Sequence, residues 1–353
     1  MRRPWICGFN YLPSTSVNFL EMWHEDGFDP DTIDREFGWA ADLGFNAVRF
    51  NLNYLVWQYD RKPFYNRLEQ VLQIANQHGL FVVPVLFDDC GFGGAEPTYG
   101  SQPDPIPGVH NSRAVASPGR AAVMDQIQWP NFRNYVQAVI RTFKDDKRLL
   151  FWDLYNEPGN RMIFRSDGCA EYTSDLTAYS QELLKGSFAW ARDINPAQPL
   201  TAAAWHTPSA GSTDQAYQNE TDQLCFELSD IVTFHAYKPA IEVSGYIDIL
   251  KKNNRPLFCT EWMARAVDSC LTDQLELYSS QGVGCFQWGL VQGRTQTHLP
   301  WPKDLLIQHG LSSQEINGWF HDLLTENGAA YREDEVAAIR QVTSRSLLEH
   351  ANK

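Results

Sequence analysis

Two glutamates occupy matching contexts in the chain. One lies in Trp152-Asp153-Leu154-Tyr155-Asn156-Glu157-Pro158 and the other in Phe258-Cys259-Thr260-Glu261-Trp262, each closing a short run of aliphatic and aromatic residues. Such runs read as buried strands, which sets both carboxylates at strand carboxyl ends. Paired carboxyl groups of this kind suit cleavage of a glycosidic bond. At a separation of about 5 to 5.5 Å one can attack the anomeric carbon while the other protonates the leaving oxygen. Proximity also splits their proton affinities, with repulsion from ionised Glu261 expected to keep Glu157 protonated near neutral pH.

Positioning two such side chains face to face is a task for the whole chain. Eight strand-like runs can be placed, at 6–11, 47–51, 81–87, 149–155, 200–205, 231–235, 257–261 and 283–288. Amphipathic helical segments lie between them, such as 31–43, where Phe37, Ala40, Ala41 and Leu43 form an apolar stripe and Gly44 a stop. Others are 64–78, 129–143 and 174–193, and 333–352 reads as a closing outer helix. Repeated strand-then-helix units predict an α/β protein, a single-domain (β/α)8 TIM barrel spanning residues 1–353. An open doubly wound sheet would carry a Gly-rich phosphate loop after its first strand, where this chain has Tyr11-Leu12-Pro13-Ser14-Thr15. In the barrel, strands four and seven direct their terminal carboxylates toward each other across the mouth. Two connections are much longer than usual, 88–128 after strand three and 289–318 after strand eight. Both fall on the carboxyl-end face and are expected to wall a substrate cleft.

Composition narrows the partners. The 353 residues carry 29 Lys plus Arg against 43 Asp plus Glu, a formal charge of −14, which disfavours nucleic acid and polyanions. No run approaches the roughly 20 apolar residues of a membrane span. Met1-Arg2-Arg3-Pro4-Trp5 leads into a strand and not into a signal-peptide core, so the expected location is cytoplasmic, or secreted if a leader has been removed. Seven scattered cysteines without a CxxC pair agree with a reducing compartment, and Cys7, Cys259 and Cys285 sit in strands as small hydrophobes. The sequence leaves the oligomeric state open.

Beyond the two glutamates, further motifs fall in order along the barrel. They are Asn46-Ala47-Val48-Arg49-Phe50 on strand two, His235-Ala236-Tyr237 at the end of strand six, and Trp288 at the end of strand eight. Together with Asn156-Glu157-Pro158 and Thr260-Glu261-Trp262 they make the chain resemble the clan A retaining glycoside hydrolases, which include the family 5 cellulases and mannanases and the family 2 β-glycosidases. The resemblance implies Glu157 as acid/base, Glu261 as nucleophile and Trp288 as a floor for the sugar. The β-sandwich domains that usually precede a family 2 barrel have no counterpart here.

Each supporting residue has an expected physical role. Arg49 would keep Glu261 ionised, and Tyr237 would donate its hydroxyl to the same carboxylate. Asn156 can donate its amide to a sugar 2-hydroxyl, and His235 can bind a hydroxyl or hold a neighbour. Asp88 and Asp89 after strand three, and Trp205 and His206 after strand five, are candidate sugar contacts. Asp88, Asp89, His206 and His235 have no metal-ligand spacing, so neither a metal nor a cofactor is expected. The expected function is a retaining β-glycosidase acting on β-linked oligosaccharides or glycosides. The alternatives are a transglycosylase using the same intermediate and a non-catalytic sugar-binding barrel.

Overall fold

A computed structural model describes residues 4–311, 316 and 318–351. Met1 to Arg3, a few positions of the second long connection, Asn352 and Lys353 lie outside the described residues.

Eight parallel strands run in the barrel order of the sequence: β1 Cys7–Asn10, β2 Ala47–Asn51, β3 Phe81–Asp88, β4 Trp152–Asn156, β5 Leu200–Thr201, β6 Val232–His235, β7 Leu257–Trp262 and β8 Gly284–Trp288. β8 returns to pair with β1, matching Cys285 to Cys7. Between β5 and β6 the barrel closes through one parallel bridge, Ala204 to Phe234, with Ala204 N–H on Thr233 O at 3.1 Å and His235 N–H on Ala204 O at 2.8 Å. The regular part of strand five is therefore shorter than the 200–205 run expected. The reason is local: the Ala202 N–H donates to the Ser229 hydroxyl at 3.1 Å and is lost to the ladder.

Strand alternation sorts the side chains. On β2, Ala47 and Arg49 point into the barrel while Val48 and Phe50 pack under the helices. The barrel interior is consequently layered. Its base is an apolar plug of Ile6, Ala47, Val83, Phe151, Ile231 and Phe286. Gly8 is required there, because a Cβ at that position would lie 2.5 Å from the Phe286 ring. A polar layer of Arg49, Asp153 and the hydrogen-bonded pair Thr201 and Thr233 sits above the plug, and the carboxylates lie above that.

The helices obey the expected signals. Pro30–Leu43 begins at the Asp29 cap, which accepts from Thr32 N–H, and ends at Gly44 with φ +103°, burying Ile33, Phe37, Ala40 and Leu43. Arg61–Gln77, Trp129–Phe143, Leu176–Arg192 and Glu333–Ala351 follow the other predicted segments. No described helix is long and apolar enough to cross a membrane. Elements beyond those expected include the short helices Arg120–Met124 and Lys303–Gln308 inside the two long connections and, after β4, an antiparallel hairpin, Met162–Arg165 with Gly168–Glu171.

Candidate active site

Local backbone geometry aims both glutamates inward. Glu157 adopts φ +43°, a left-handed conformation unusual for a residue before proline, and this turns its side chain over the barrel mouth as β4 ends. On β7 the register slips on both edges: His235 pairs with Glu261 after Phe234 with Cys259, and Gln287 pairs with Trp262 after Cys285 with Cys259. A bulge of this kind re-aims one side chain, here Glu261. One oxygen from each carboxylate and one His235 ring nitrogen all lie within 4.8 Å of one another. Such an approach suits the close, nucleophile-plus-acid arrangement better than the wider gap of about 6.5 to 9.5 Å in which a water attacks. It is also a donor set that would accept a small cation.

Arg49 lies beneath the pair and organises it. Nη1 donates to Glu261 Oε1 at 2.9 Å and Asn10 Oδ1 at 2.7 Å, while Nε and Nη2 grip Asp153 Oδ2 at 3.0 and 2.9 Å. Nη2 also reaches Asn156 Oδ1 at 2.6 Å. Tyr237 Oη donates to Glu261 Oε2 at 3.0 Å. Glu157 is held differently, by Asn160 Nδ2 at 2.6 Å, His235 Nδ1 at 2.8 Å and the Cys90 thiol at 3.1 Å.

Charge follows from these contacts. Burial pushes both carboxyls above the ordinary range. The Arg49 guanidinium is hydrogen-bonded to Glu261 and not to Glu157, which favours the charge on Glu261 and a shared proton on Glu157. Burial therefore has the larger part in the protonation that repulsion alone was expected to supply. Burial also pushes His235 down to about 4, so its imidazole is neutral at pH 7. Its Nε2 has no partner among the described residues. The tautomer with hydrogen on Nδ1, donated to Glu157, leaves no buried N–H unpaired.

The remaining candidates divide. Trp288, Trp205 and His206 line the same cavity as the glutamates, with the Trp205 ring 3.7 Å from the His206 ring and His206 Nδ1 3.2 Å from Asp222 Oδ1. Asp88 also lines it, but its carboxylate is already engaged by Asn51 at 2.7 Å, Asn156 at 2.9 Å and the Cys90 N–H at 2.8 Å. The Asn156 amide donates to Asp88 and lies 3.4 Å from the Cys90 sulfur, so a sugar hydroxyl would compete only with that weak acceptor. Asp89 turns away from the cavity, contrary to the expectation for it. Its carboxylate accepts from Tyr155 Oη at 2.9 Å, Gly159 N–H at 2.7 Å and Ser180 Oγ at 2.6 Å, and burial pushes it up to about 6.

Sequence reasoning missed Cys90, Asn160, Asn10 and Asp153. Asp153 was within reach, since it is the inward-facing position of β4 level with Arg49. Cys90 carried no signal, because its contact joins residues far apart in the chain.

A family model for cellulases (glycosyl hydrolase family 5) matches residues 13–293. A search of the curated proteins finds no match. Among solved structures, the chain is similar to the GH5_18 protein of Streptomyces cattleya in complex with GlcNAc, with TM-score 0.62 and 15% identity over 98% of this chain and 81% of that one. It is similar to the endo-1,4-β-mannanase of Rhizomucor miehei, with TM-score 0.62 and 12% identity over 98% and 95% of the two chains. It also resembles a broad-specificity GH5-4 endoglucanase of Clostridium longisporum, with TM-score 0.56 and 14% identity over 97% of each.

Proposed function

The chain belongs to glycosyl hydrolase family 5, and from that premise we propose that Glu261 and Glu157 perform a retaining double displacement on a β-linked sugar. Glu261 attacks the anomeric carbon as Glu157 transfers its proton to the departing oxygen. A covalent glycosyl-enzyme results. Once Glu261 is esterified its charge is gone, and Glu157 accepts a proton from the water that completes hydrolysis. The observation that supports this reading best is the placement of one oxygen of each carboxylate and one His235 nitrogen within 4.8 Å, with Arg49 bonded to Glu261 and not to Glu157. Trp288, Trp205 and His206 are the proposed sugar-facing side chains.

The test is intact-mass analysis after incubation with 2-deoxy-2-fluoro-β-glycosides bearing an activated leaving group, followed by peptide mapping. A stable adduct on the peptide containing Glu261 is expected. An adduct mapping to any other carboxylate would overturn the assignment.

The acid role of Glu157 has its own signature. Glu157→Ala should cost roughly 10²- to 10⁴-fold on substrates whose leaving group needs a proton and far less on aryl glycosides with good leaving groups. Equal losses on both would speak against it.

Cys90 enters through Glu157. Burial and the neighbouring carboxylates push the Cys90 thiol well up, so it stays an S–H donor and favours the ionised form of Glu157. Removing that donor in Cys90→Ala should raise the Glu157 pKa and move the basic limb of kcat/KM up by about half a unit to one unit. Cys90→Ser, with a stronger donor, should hold the limb in place or lower it. A uniform loss of rate with unmoved limbs in both variants would reduce Cys90 to packing.

A further inference from the structure

An enzyme that cuts within a polymer needs a groove open at both ends. Here the connections flanking the site are tied to one another over it. Residues 106–111 of the β3 connection meet residues 294–299 of the β8 connection: Asn111 N–H donates to Thr295 O at 2.8 Å and His110 Nδ1 lies 2.7 Å from Leu299 O. Gln296 Nε2 donates to Ile106 O at 2.7 Å and Val109 O at 3.0 Å. Since β1 and β2 separate β8 from β3 in the barrel, this seam spans that side of the mouth.

The other flank is tied as well. The hairpin after β4 stacks Phe164 on Phe92 of the β3 connection, with ring centroids 4.3 Å apart and planes at 3°. Its far strand donates Cys169 N–H to Asp304 at 3.3 Å, on the short helix Lys303–Gln308 of the β8 connection. That helix in turn accepts Ala210 N–H of the β5 connection on Gln308 O at 2.9 Å. The β8 connection thus crosses the mouth and is fastened on both sides. Beneath it lies a cavity of about 710 Å³, within the size range of small-ligand pockets.

Its charge selects further. Besides the two glutamates, Asp88, Glu171, Asp304 and Asp322 line it, and the one Arg or Lys among the lining residues, Arg161, is paired with Glu171 at 2.9 Å. Of the five lining histidines, burial pushes His110, His235 and His309 down to about 4 and His321 down as well, which leaves these four uncharged at pH 7, while His206 faces the Asp222 carboxylate at 3.2 Å.

We propose, resting on the glycosidase reading above, that this site is a roofed pocket that takes one uncharged sugar from the non-reducing end of short β-glycosides and rejects internal polymer segments and uronic acids. The terminal sugar lies over Glu261, its anomeric bond to the leaving group directed toward Glu157.

The experiment supplies aryl β-glycosides of glucose, mannose, galactose, xylose and glucuronic acid, and reducing-end-labelled β-1,4-linked gluco-, manno- and xylo-oligosaccharides of two to six units. Turnover of a neutral aryl glycoside, at least 100-fold faster than of the glucuronide, with any cut oligosaccharide shortened one unit at a time, is expected. Internal fragments at the earliest times, or a glucuronide cleaved as fast as the neutral glycosides, would overturn the pocket while leaving the glycosidase reading intact. Turnover of none of these, with no 2-fluoro adduct, would overturn that reading and this one with it. A variant probes the seam: Gln296→Ala, which removes its bonds to Ile106 and Val109 and loosens the β3 connection, should raise the share of internal cuts at least several-fold. A merely structural role would lower all activities together.

Discussion

Replacing Glu261 by alanine is expected to lower turnover by roughly four orders of magnitude or more, as loss of a covalent nucleophile does elsewhere. Added azide should then restore cleavage of an activated aryl β-glycoside. The anion enters from the face that the carboxylate vacated, so a single displacement inverts the anomeric centre and the product is the α-glycosyl azide. Loss of activity through misfolding is not expected to confuse the result. With Glu261 gone, the Arg49 guanidinium still holds Asp153 Oδ2 at 3.0 and 2.9 Å, and the buried layer is left with one positive and one negative charge. Thermal unfolding of Glu261→Ala should therefore occur at or above the wild-type temperature. Near-wild-type activity, or an azide product of β configuration, would remove Glu261 from the mechanism.

Much of this frame is legible in the sequence because barrels impose local rules. The strand ends at Asn156-Glu157 and Glu261-Trp262 are set by short apolar runs, and the inward direction of Arg49 follows from alternation with Val48 and Phe50. What escapes is decided by contacts between distant residues. Cys90 reaches Glu157 only because the β3 connection folds back over β4, and nothing near residue 90 announces it. The seam between 106–111 and 294–299 is of the same kind. The hairpin at Met162–Glu171 is different: its turn is Ser166-Asp167, two residues of turn-forming type followed by Gly168, and such a local signal is legible in sequence. The physical source of the Glu157 shift also escapes sequence, which gives the charges of neighbours and not the depth of burial. The regular part of strand five stops short of the 200–205 run because the Ala202 N–H is taken by the Ser229 hydroxyl, which a run of small residues, Ala202-Ala203-Ala204, does not reveal.

Arg49 is where stability and catalysis meet, and Arg49→Met should expose both. The guanidinium is 1% exposed and faces Asp153 and Glu261, themselves 0% and 5% exposed. Methionine fills comparable space without charge, leaving two carboxylates in a dry layer, and loss of one partner from a buried ion pair costs about 3–5 kcal/mol. The sign with pH is fixed by the direction of the shifts. Without Arg49 both carboxyls rise further above their unfolded values, so the folded state holds protons that the unfolded chain releases. The variant is then closest to wild type at low pH, below the unfolded carboxyl values, and falls behind as pH rises through the raised folded values. Urea unfolding at pH 4 and pH 8 should show the larger deficit at pH 8, and equal deficits would exclude this electrostatic account. In activity, the acidic limb of kcat/KM should move to higher pH, because Glu261 must ionise without its cation. The double variant Arg49→Met with Asp153→Asn separates the two effects: neutralising Asp153 should recover much of the stability and leave the acidic limb displaced. Recovery of both together would mean that Arg49 acts on Glu261 through the fold and not through its charge.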